Sequence, residues 1–202
     1  MTASKAYDRA YFDRWYRDPE HRVATRADVA RKAAMVVGIA ESLLQRRVRS
    51  VLDVGCGEAP WRSALRRLRP AVRYTGVDPS PYVINRFGAS RNIRLGTFGG
   101  LDDLDLGGRF DLIVCCDVLQ YVSPGDLAPG LRAVAAHLGG VAYLEAYTSA
   151  DEIDGDRRAW HHRTPAVYRR AFRSAGLTGV GMQCWVGEQL RPMTVALERS
   201  TD

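Results

Sequence analysis

Between Ser50 and Tyr147, short apolar runs alternate with segments of helical period, and this order restricts the fold more than any other feature of the chain. The runs are SVLDV, Arg73 to Val77, Asn92 to Leu95, FDLIVCC and Gly140 to Tyr147. They are strand-sized and bounded by glycine or polar residues, so they read as buried strands. Between them, Pro60 to Arg69, Ser80 to Phe87 and Ser123 to about His137 have the helical pattern, the last opened by a Ser-Pro pair. A further helix starts at Thr25, in TRADVARKAAMVVGIAESLLQRR, where Thr25 and Asp28 form a capping pair. Parallel strands need a crossover to return the chain, so the order predicts a parallel sheet with helices on both faces.

The C-terminal part departs from this rhythm. A helix capped by Thr164, with Pro165 in its first turn, runs to Ala175 and ends at Gly176. Two apolar runs follow, Val180 to Val186 and Met193 to Glu198, with no helix between them, and they are expected to pair as an antiparallel hairpin. The predicted class is therefore α/β: a doubly wound, Rossmann-like, seven-stranded mixed sheet with a C-terminal antiparallel hairpin. At 202 residues and 46% hydrophobic, the chain is long enough for one substantial core and too short for a separate substrate domain.

The longest apolar runs, such as Leu112 to Cys116, fall far short of the roughly 20 residues of a membrane span. The charged start, with Lys5, Asp8, Arg9, Asp13 and Arg14, holds no signal-peptide core. A cytoplasmic protein is expected. Cys56, Cys115, Cys116 and Cys184 form no CxxC pair, which points to small apolar side chains rather than metal ligands or disulfides. The net charge of +6 raises the question of a polyanion, yet arginines recur in nearly every helix among acidic residues. That pattern describes a solvated surface better than a nucleic-acid face.

The loop after the first strand reads Asp53-Val54-Gly55-Cys56-Gly57-Glu58-Ala59-Pro60. Gly55 and Gly57 permit positive φ and close approach of a ligand to the backbone. About twenty residues on, Asp78 ends the second strand, where a carboxylate can accept both hydroxyls of a ribose. A dinucleotide fold would need a third small residue at the helix start so that pyrophosphate can sit on the helix N-terminus. Pro60 and the bulky Trp61 stand there instead, so a pyrophosphate cradle is disfavoured.

Taken in order, VLDVGCGEAPWRSAL, YTGVDPSP and FDLIVCCDVLQYV resemble the successive motifs of the class I S-adenosylmethionine-dependent methyltransferases, whose fold also ends in an antiparallel hairpin. The resemblance covers roughly residues 25 to 200. It implies S-adenosylmethionine as cofactor, with Asp53, Gly55 and Gly57 around its methionine part and Asp53 interacting with the ammonium directly or through water. It further implies Asp78 at the ribose hydroxyls and Pro79 and Tyr82 near the adenine. Gly96, Thr97 and Phe98 follow the third strand, where relatives often carry an acidic residue. Thr97 departs from that pattern, which leaves main-chain amides and Phe98 for the adenine. Asp117 would line the methionine pocket, and Tyr121 stands where relatives frequently have histidine.

Acceptor-binding groups should come from whatever covers the strand ends. Residues 1–24 contain AYDRAYFDRWYRD, which reads either as an aromatic lid, with Tyr11 and Trp15 reaching the acceptor, or as an amphipathic helix packed on the core. The segment after the fifth strand carries Glu145, Tyr147, Trp160, His161, His162 and Arg163. His161, His162 and Glu145 are the expected proton acceptors, and Tyr121, Tyr147, Trp160 and Arg163 the expected acceptor contacts. No metal site is expected, since the spacing of the two histidines matches no standard ligand pattern. The expected acceptor is a small molecule, methylated on O or N by a monomer or homodimer. The alternatives are an RNA or protein acceptor, a non-catalytic cofactor-binding protein of the same fold, and a nicotinamide oxidoreductase, which Pro60 disfavours.

Overall fold

The computed structural model describes residues 5–152 and 155–199. Residues 1–4 of the aromatic segment, Ile153 and Asp154 of the arginine-rich loop, and Ser200 at the expected domain end lie outside the described residues. Five parallel strands form the sheet: β1 (Ser50–Val54), β2 (Arg73–Asp78), β3 (Ile93–Leu95), β4 (Phe110–Cys115) and β5 (Leu138–Leu144). With β6 (Thr178–Gly179) and β7 (Cys184–Val186) they make a seven-stranded sheet in the order β3-β2-β1-β4-β5-β7-β6. The order in which strands are added switches sides between β1 and β4, where folds of this kind bind ligands.

All five residues of β1 and all six of β4 are buried, because helices cover both sheet faces. On one face lie α2 (Arg26–Leu44), α3 (Pro60–Leu68) and α4 (Pro81–Arg91); Val51, Leu112, Val114 and Tyr143 point into that core. On the other lie α5 (Pro124–His137) and α6 (Pro165–Ser174), against Leu52, Val54, Ile113 and Ala142. The caps form as their residues require. Thr25 and Asp28 exchange reciprocal hydrogen bonds at the start of α2, and Ser80, Ser123 and Thr164 each accept a backbone N–H at the start of α4, α5 and α6.

The hairpin forms, but not where the apolar runs place it. Val180 to Val186 is broken by a turn in which Gly181, Met182 and Gln183 all have positive φ. This turn joins β6 to β7, which pair antiparallel as Thr178↔Val186 and Gly179↔Trp185. β7 pairs in turn with β5, at Tyr143↔Cys184. Met193 to Glu198 is not a strand: Arg191–Met193 and Ala196–Glu198 are single 3₁₀ turns. Pro192 cannot donate to a ladder there, and Val195 and Leu197 remain exposed because no sheet face is left to cover them.

Candidate active site

Gly55 and Gly57 adopt φ of +70° and +52°, and both the Gly55 and Cys56 amides bond the carbonyl of Val77, which pins the loop after β1 to the end of β2. A Cβ on Gly55 would stand 2.4 Å from Val118 Cγ2, so the loop after β4 lies directly against it. Asp78 is 5% exposed and accepts the Gly57 amide at 2.7 Å on one oxygen and the Ser80 amide at 2.9 Å on the other. Burial raises its pKa, and those two bonds oppose the rise. A carboxylate has about four lone-pair positions, so two remain for a vicinal diol. Asp53 lies at the floor of the loop, 2% exposed, accepting the Tyr74 hydroxyl at 2.7 Å. Burial pushes its pKa up to about 7, with the Tyr74 bond opposing and Asp78 adding to the rise.

The start of α3 matters for what it lacks. The Ala59 amide is spent on the Cys56 carbonyl at 2.8 Å, and Pro60 has no N–H. Two of the amides that would hold a pyrophosphate are therefore missing, whereas a ribose-binding carboxylate and a glycine floor are present. These residues fit S-adenosylmethionine and not a dinucleotide.

The N-terminal segment crosses this floor. A short helix, α1 (Arg9–Phe12), runs into a π-helical turn over Asp13–Arg17. Phe12 is buried and stacks on Tyr82 with ring centroids 5.6 Å apart, and Tyr16 points at Gly57, where a Cβ would meet its hydroxyl at 2.3 Å. Arg17 holds both oxygens of Glu58, at 2.5 and 2.7 Å, and Tyr82 donates to the same carboxylate. Ser80 donates to the Tyr7 carbonyl. The segment is thus packed against the loop after β1 and the start of α4, as the packed-helix reading of its aromatic spacing expects.

Beyond β4 and β5 a second set of groups converges. Asp117 is a non-glycine residue at φ +59°, a strained conformation of the kind that recurs at functional sites. Its carboxylate accepts from the Nε2 of Gln120, a fully buried residue. Burial and then Glu145 push the Asp117 pKa up to about 6, against Gln120, Lys32 and Lys5. Glu145, 3% exposed, accepts Lys32 Nζ at 2.5 Å, the Tyr143 hydroxyl, and the Cys116 thiol at 3.4 Å. Beside it an open chamber of about 610 Å³ is lined by Lys32, Met35, Tyr143, Glu145, Tyr147 and Met182. Lys5 reaches Asp156 at 2.9 Å and lies 3.6 Å above the ring of Tyr121, whose hydroxyl donates to the Asp156 carbonyl.

Several residues expected at the site stand elsewhere. Phe98 does not face an adenine: its ring fills the core under α5, where a Cβ on Gly130 would lie 2.2 Å from it. Thr97 is exposed and caps a turn through the Gly100 amide at 3.1 Å, Gly96 is squeezed between Leu104 and Val77, and Pro79 is exposed. Trp15 contacts His21 and Arg14, while Phe12 and Tyr16 hold the cleft. Arg163 is a strut, with its guanidinium donating to the carbonyls of Leu119 at 3.2 Å and Val122 at 2.6 Å. His161 is tied by its amide to the Gln120 carbonyl at 2.9 Å, and burial, then Arg163, lowers its pKa. His162 is exposed and packs on Trp160 at 4.0 Å. Among the described residues, Trp160 keeps a buried Nε1 with no partner. Lys32 and Tyr143 belong to no motif, whereas Gln120 lies inside FDLIVCCDVLQYV and Tyr16 inside AYDRAYFDRWYRD, at i, i+4 spacing from Phe12.

A family model described as "Methyltransferase domain" matches residues 24–179. Solved structures with the same fold include the sugar N-methyltransferase KedS8 from a Streptoalloteichus species, 20% identical with a TM-score of 0.65, covering 93% of this chain and 98% of that one. Streptomyces venezuelae DesVI is 16% identical with a TM-score of 0.63, covering 79% and 92%. CalS10 from Micromonospora echinaspora, an amino pentose methyltransferase solved with S-adenosylmethionine bound, is 18% identical with a TM-score of 0.60, covering 78% and 89%. No curated protein matches the sequence. The chain belongs to the methyltransferase-domain family and is an S-adenosylmethionine-dependent methyltransferase. Among the described residues no helix is long and apolar enough to cross a membrane.

Proposed function

We propose that the protein transfers a methyl group from S-adenosylmethionine to a nitrogen or oxygen atom of a small-molecule acceptor. The observation that carries this reading is the meeting, at the ends of β4 and β5, of a strained Asp117, a buried Glu145–Lys32 pair and a chamber of about 610 Å³, a volume suited to a small ligand. They stand beside the Gly55–Gly57 loop, joined to it by the contact with Val118. Asp78, Gly55, Gly57 and Tyr82 would hold the cofactor, and its sulfonium supplies an activated methyl carbon. The protein's own work is then to orient the acceptor and keep water out, for which residues 1–24 would serve as the lid. A small acceptor is supported by the solved structures of like fold, which include a sugar N-methyltransferase and an amino pentose methyltransferase.

The test is calorimetry with S-adenosylmethionine, followed by incubation of metabolite extracts with methyl-labelled cofactor and mass analysis. Label in one or a few small molecules is the expected result. Label confined to bulk RNA or protein would overturn the acceptor class, and absence of cofactor binding would overturn the reading as a whole.

A further inference from the structure

We propose that the acceptor is an amine, and that Asp117, paired with Glu145 across the ends of β4 and β5, receives its ammonium group and takes its proton. The inference rests on the methyl transfer proposed above and settles which atom is methylated.

Charge around Asp117 is out of balance. Asp117 is faced by Glu145 just after β5, Lys32 from α2, Lys5 and the phenols of Tyr7, Tyr11 and Tyr16 from the N-terminal segment, the phenols of Tyr121 and Tyr147, and the thiols of Cys115 and Cys116. Lys32 is committed to Glu145, and Lys5 to Asp156. With Asp156 there are three carboxylates, and the cations near them are Lys32, Lys5 and, beside Asp156, Arg158; Asp117 is the one that forms no ion pair among the described residues. Burying a carboxylate in this state is costly, and a cationic ligand relieves it.

Hydrogen-bond donors and acceptors are also unmatched there. Gln120 is 0% exposed, and its Nε2 donates to Asp117 while its Oε1 has no partner among the described residues. A buried amide oxygen without a donor is a standing penalty. The site therefore offers an unsatisfied acceptor beside an uncompensated carboxylate. An ammonium brings three N–H donors, which can serve both and still leave one; a hydroxyl brings a single donor and serves one. The positive φ of Asp117 and the hydrogen bond from Gln120 together fix the direction of its carboxylate.

The proton accounting closes. The ammonium gives a proton to ionised Asp117, the freed nitrogen lone pair forms the N–C bond, and the S–C bond breaks with its electrons on sulfur. The positive charge passes from sulfonium to the methylated nitrogen, and Asp117 returns its proton to solvent.

The experiment starts with calorimetric binding of S-adenosylmethionine to the wild type, since failure there removes the methyltransferase reading and not merely this refinement. Methyl-labelled cofactor is then offered a panel of primary and secondary amines, amino sugars included, alongside the alcohols that match each of them. Label in amines alone is expected, with kcat/KM falling as pH drops through about 6, where Asp117 gains a proton and can neither attract nor deprotonate the ammonium. Asp117→Asn should lower kcat/KM about a hundred-fold and lose that acidic limb, keeping only the limb due to the amine itself. Asparagine tolerates positive φ and still accepts from Gln120, so circular dichroism should show an intact fold. Independently of turnover, affinity of the best amine for the complex with demethylated cofactor should drop at least ten-fold in Asp117→Asn. Methylation of an alcohol, no methylation of any amine, or an Asp117→Asn enzyme with wild-type amine affinity and pH profile would each overturn the proposal.

Discussion

Gly57→Ala probes the contact between the glycine loop and the aromatic segment in a way that can be taken apart. The substitution imposes two separate costs. Alanine at φ +52° pays about 1 kcal/mol for a left-handed backbone, whatever surrounds it. Its Cβ would also stand 2.3 Å from the Tyr16 hydroxyl, with Tyr16 Cζ at 3.0 Å and Phe12 Cε1 at 3.1 Å behind, so the segment must shift. Overpacking of this kind costs about 1–3 kcal/mol, which brings the total to roughly 2–4 kcal/mol. For a chain of this length that corresponds to about 4–15 °C in Tm. Tyr16→Phe removes the closest atom and leaves the backbone term untouched. In a double-mutant cycle read by thermal or urea unfolding, Tyr16→Phe should recover about 1 kcal/mol of the cost of Gly57→Ala. If the two changes instead add within about 0.4 kcal/mol, Tyr16 does not rest on Gly57 in solution, and the segment's place over the loop is wrong.

Other perturbations follow from the same geometry. Arg17→Ala removes an exposed bidentate pair, so global stability should change by less than about 1 kcal/mol, while amide exchange in residues 9–17 and cofactor dissociation both speed up. Unchanged exchange in that segment would show that Glu58 does not hold it. Asp53 has a folded-state pKa raised to about 7 from an ordinary 3.8, so its contribution is fully favourable below about pH 4 and is lost as pH rises through 7. Asp53→Asn should therefore gain stability over wild type progressively across that window, on the order of 2–4 kcal/mol by pH 8; a difference independent of pH would refute the buried-acid account. Arg163→Ala strips the donors from the carbonyls of Leu119 and Val122, which should cost about 1.5–3 kcal/mol and expose residues 116–123 to proteolysis. Equal cleavage of variant and wild type would count against the strut.

The parts of this molecule that were legible in the sequence are those set by neighbours in the chain. A Ser or Thr three residues ahead of the amide it accepts, a proline at the first helical position and a glycine in a tight loop are local physics, and α2 to α6 begin where such residues stand. What escaped depends on partners remote in sequence. Lys32 acts on Glu145 from 113 residues away, and nothing in the helical pattern of α2 distinguishes it from a solvated lysine. Phe98 and the end of β3 read as adenine-facing only by position; a ring that can choose between a cleft and a core takes the side where Gly130 makes room. The hairpin was shifted because hydrophobicity alone does not reveal three successive left-handed residues at Gly181 to Gln183, nor that the sheet ends before Val195. In the segment after β5, Arg163 is an expected acceptor contact by position, yet its guanidinium is internal scaffolding on the carbonyls of Leu119 and Val122.

The capping box at Thr25 and Asp28 fixes where rigidity begins. Upstream of it, residues 18–25 contain no helix or strand, and fully drawn out these eight residues span about 25 Å. This stretch is held by turns, with the Val23 amide on the Trp15 carbonyl and His21 on Asp18, while α2, which carries Lys32, starts at its own capped first turn. A rearrangement of residues 5–17 would therefore stop at Thr25 and leave α2, with Lys32, in place.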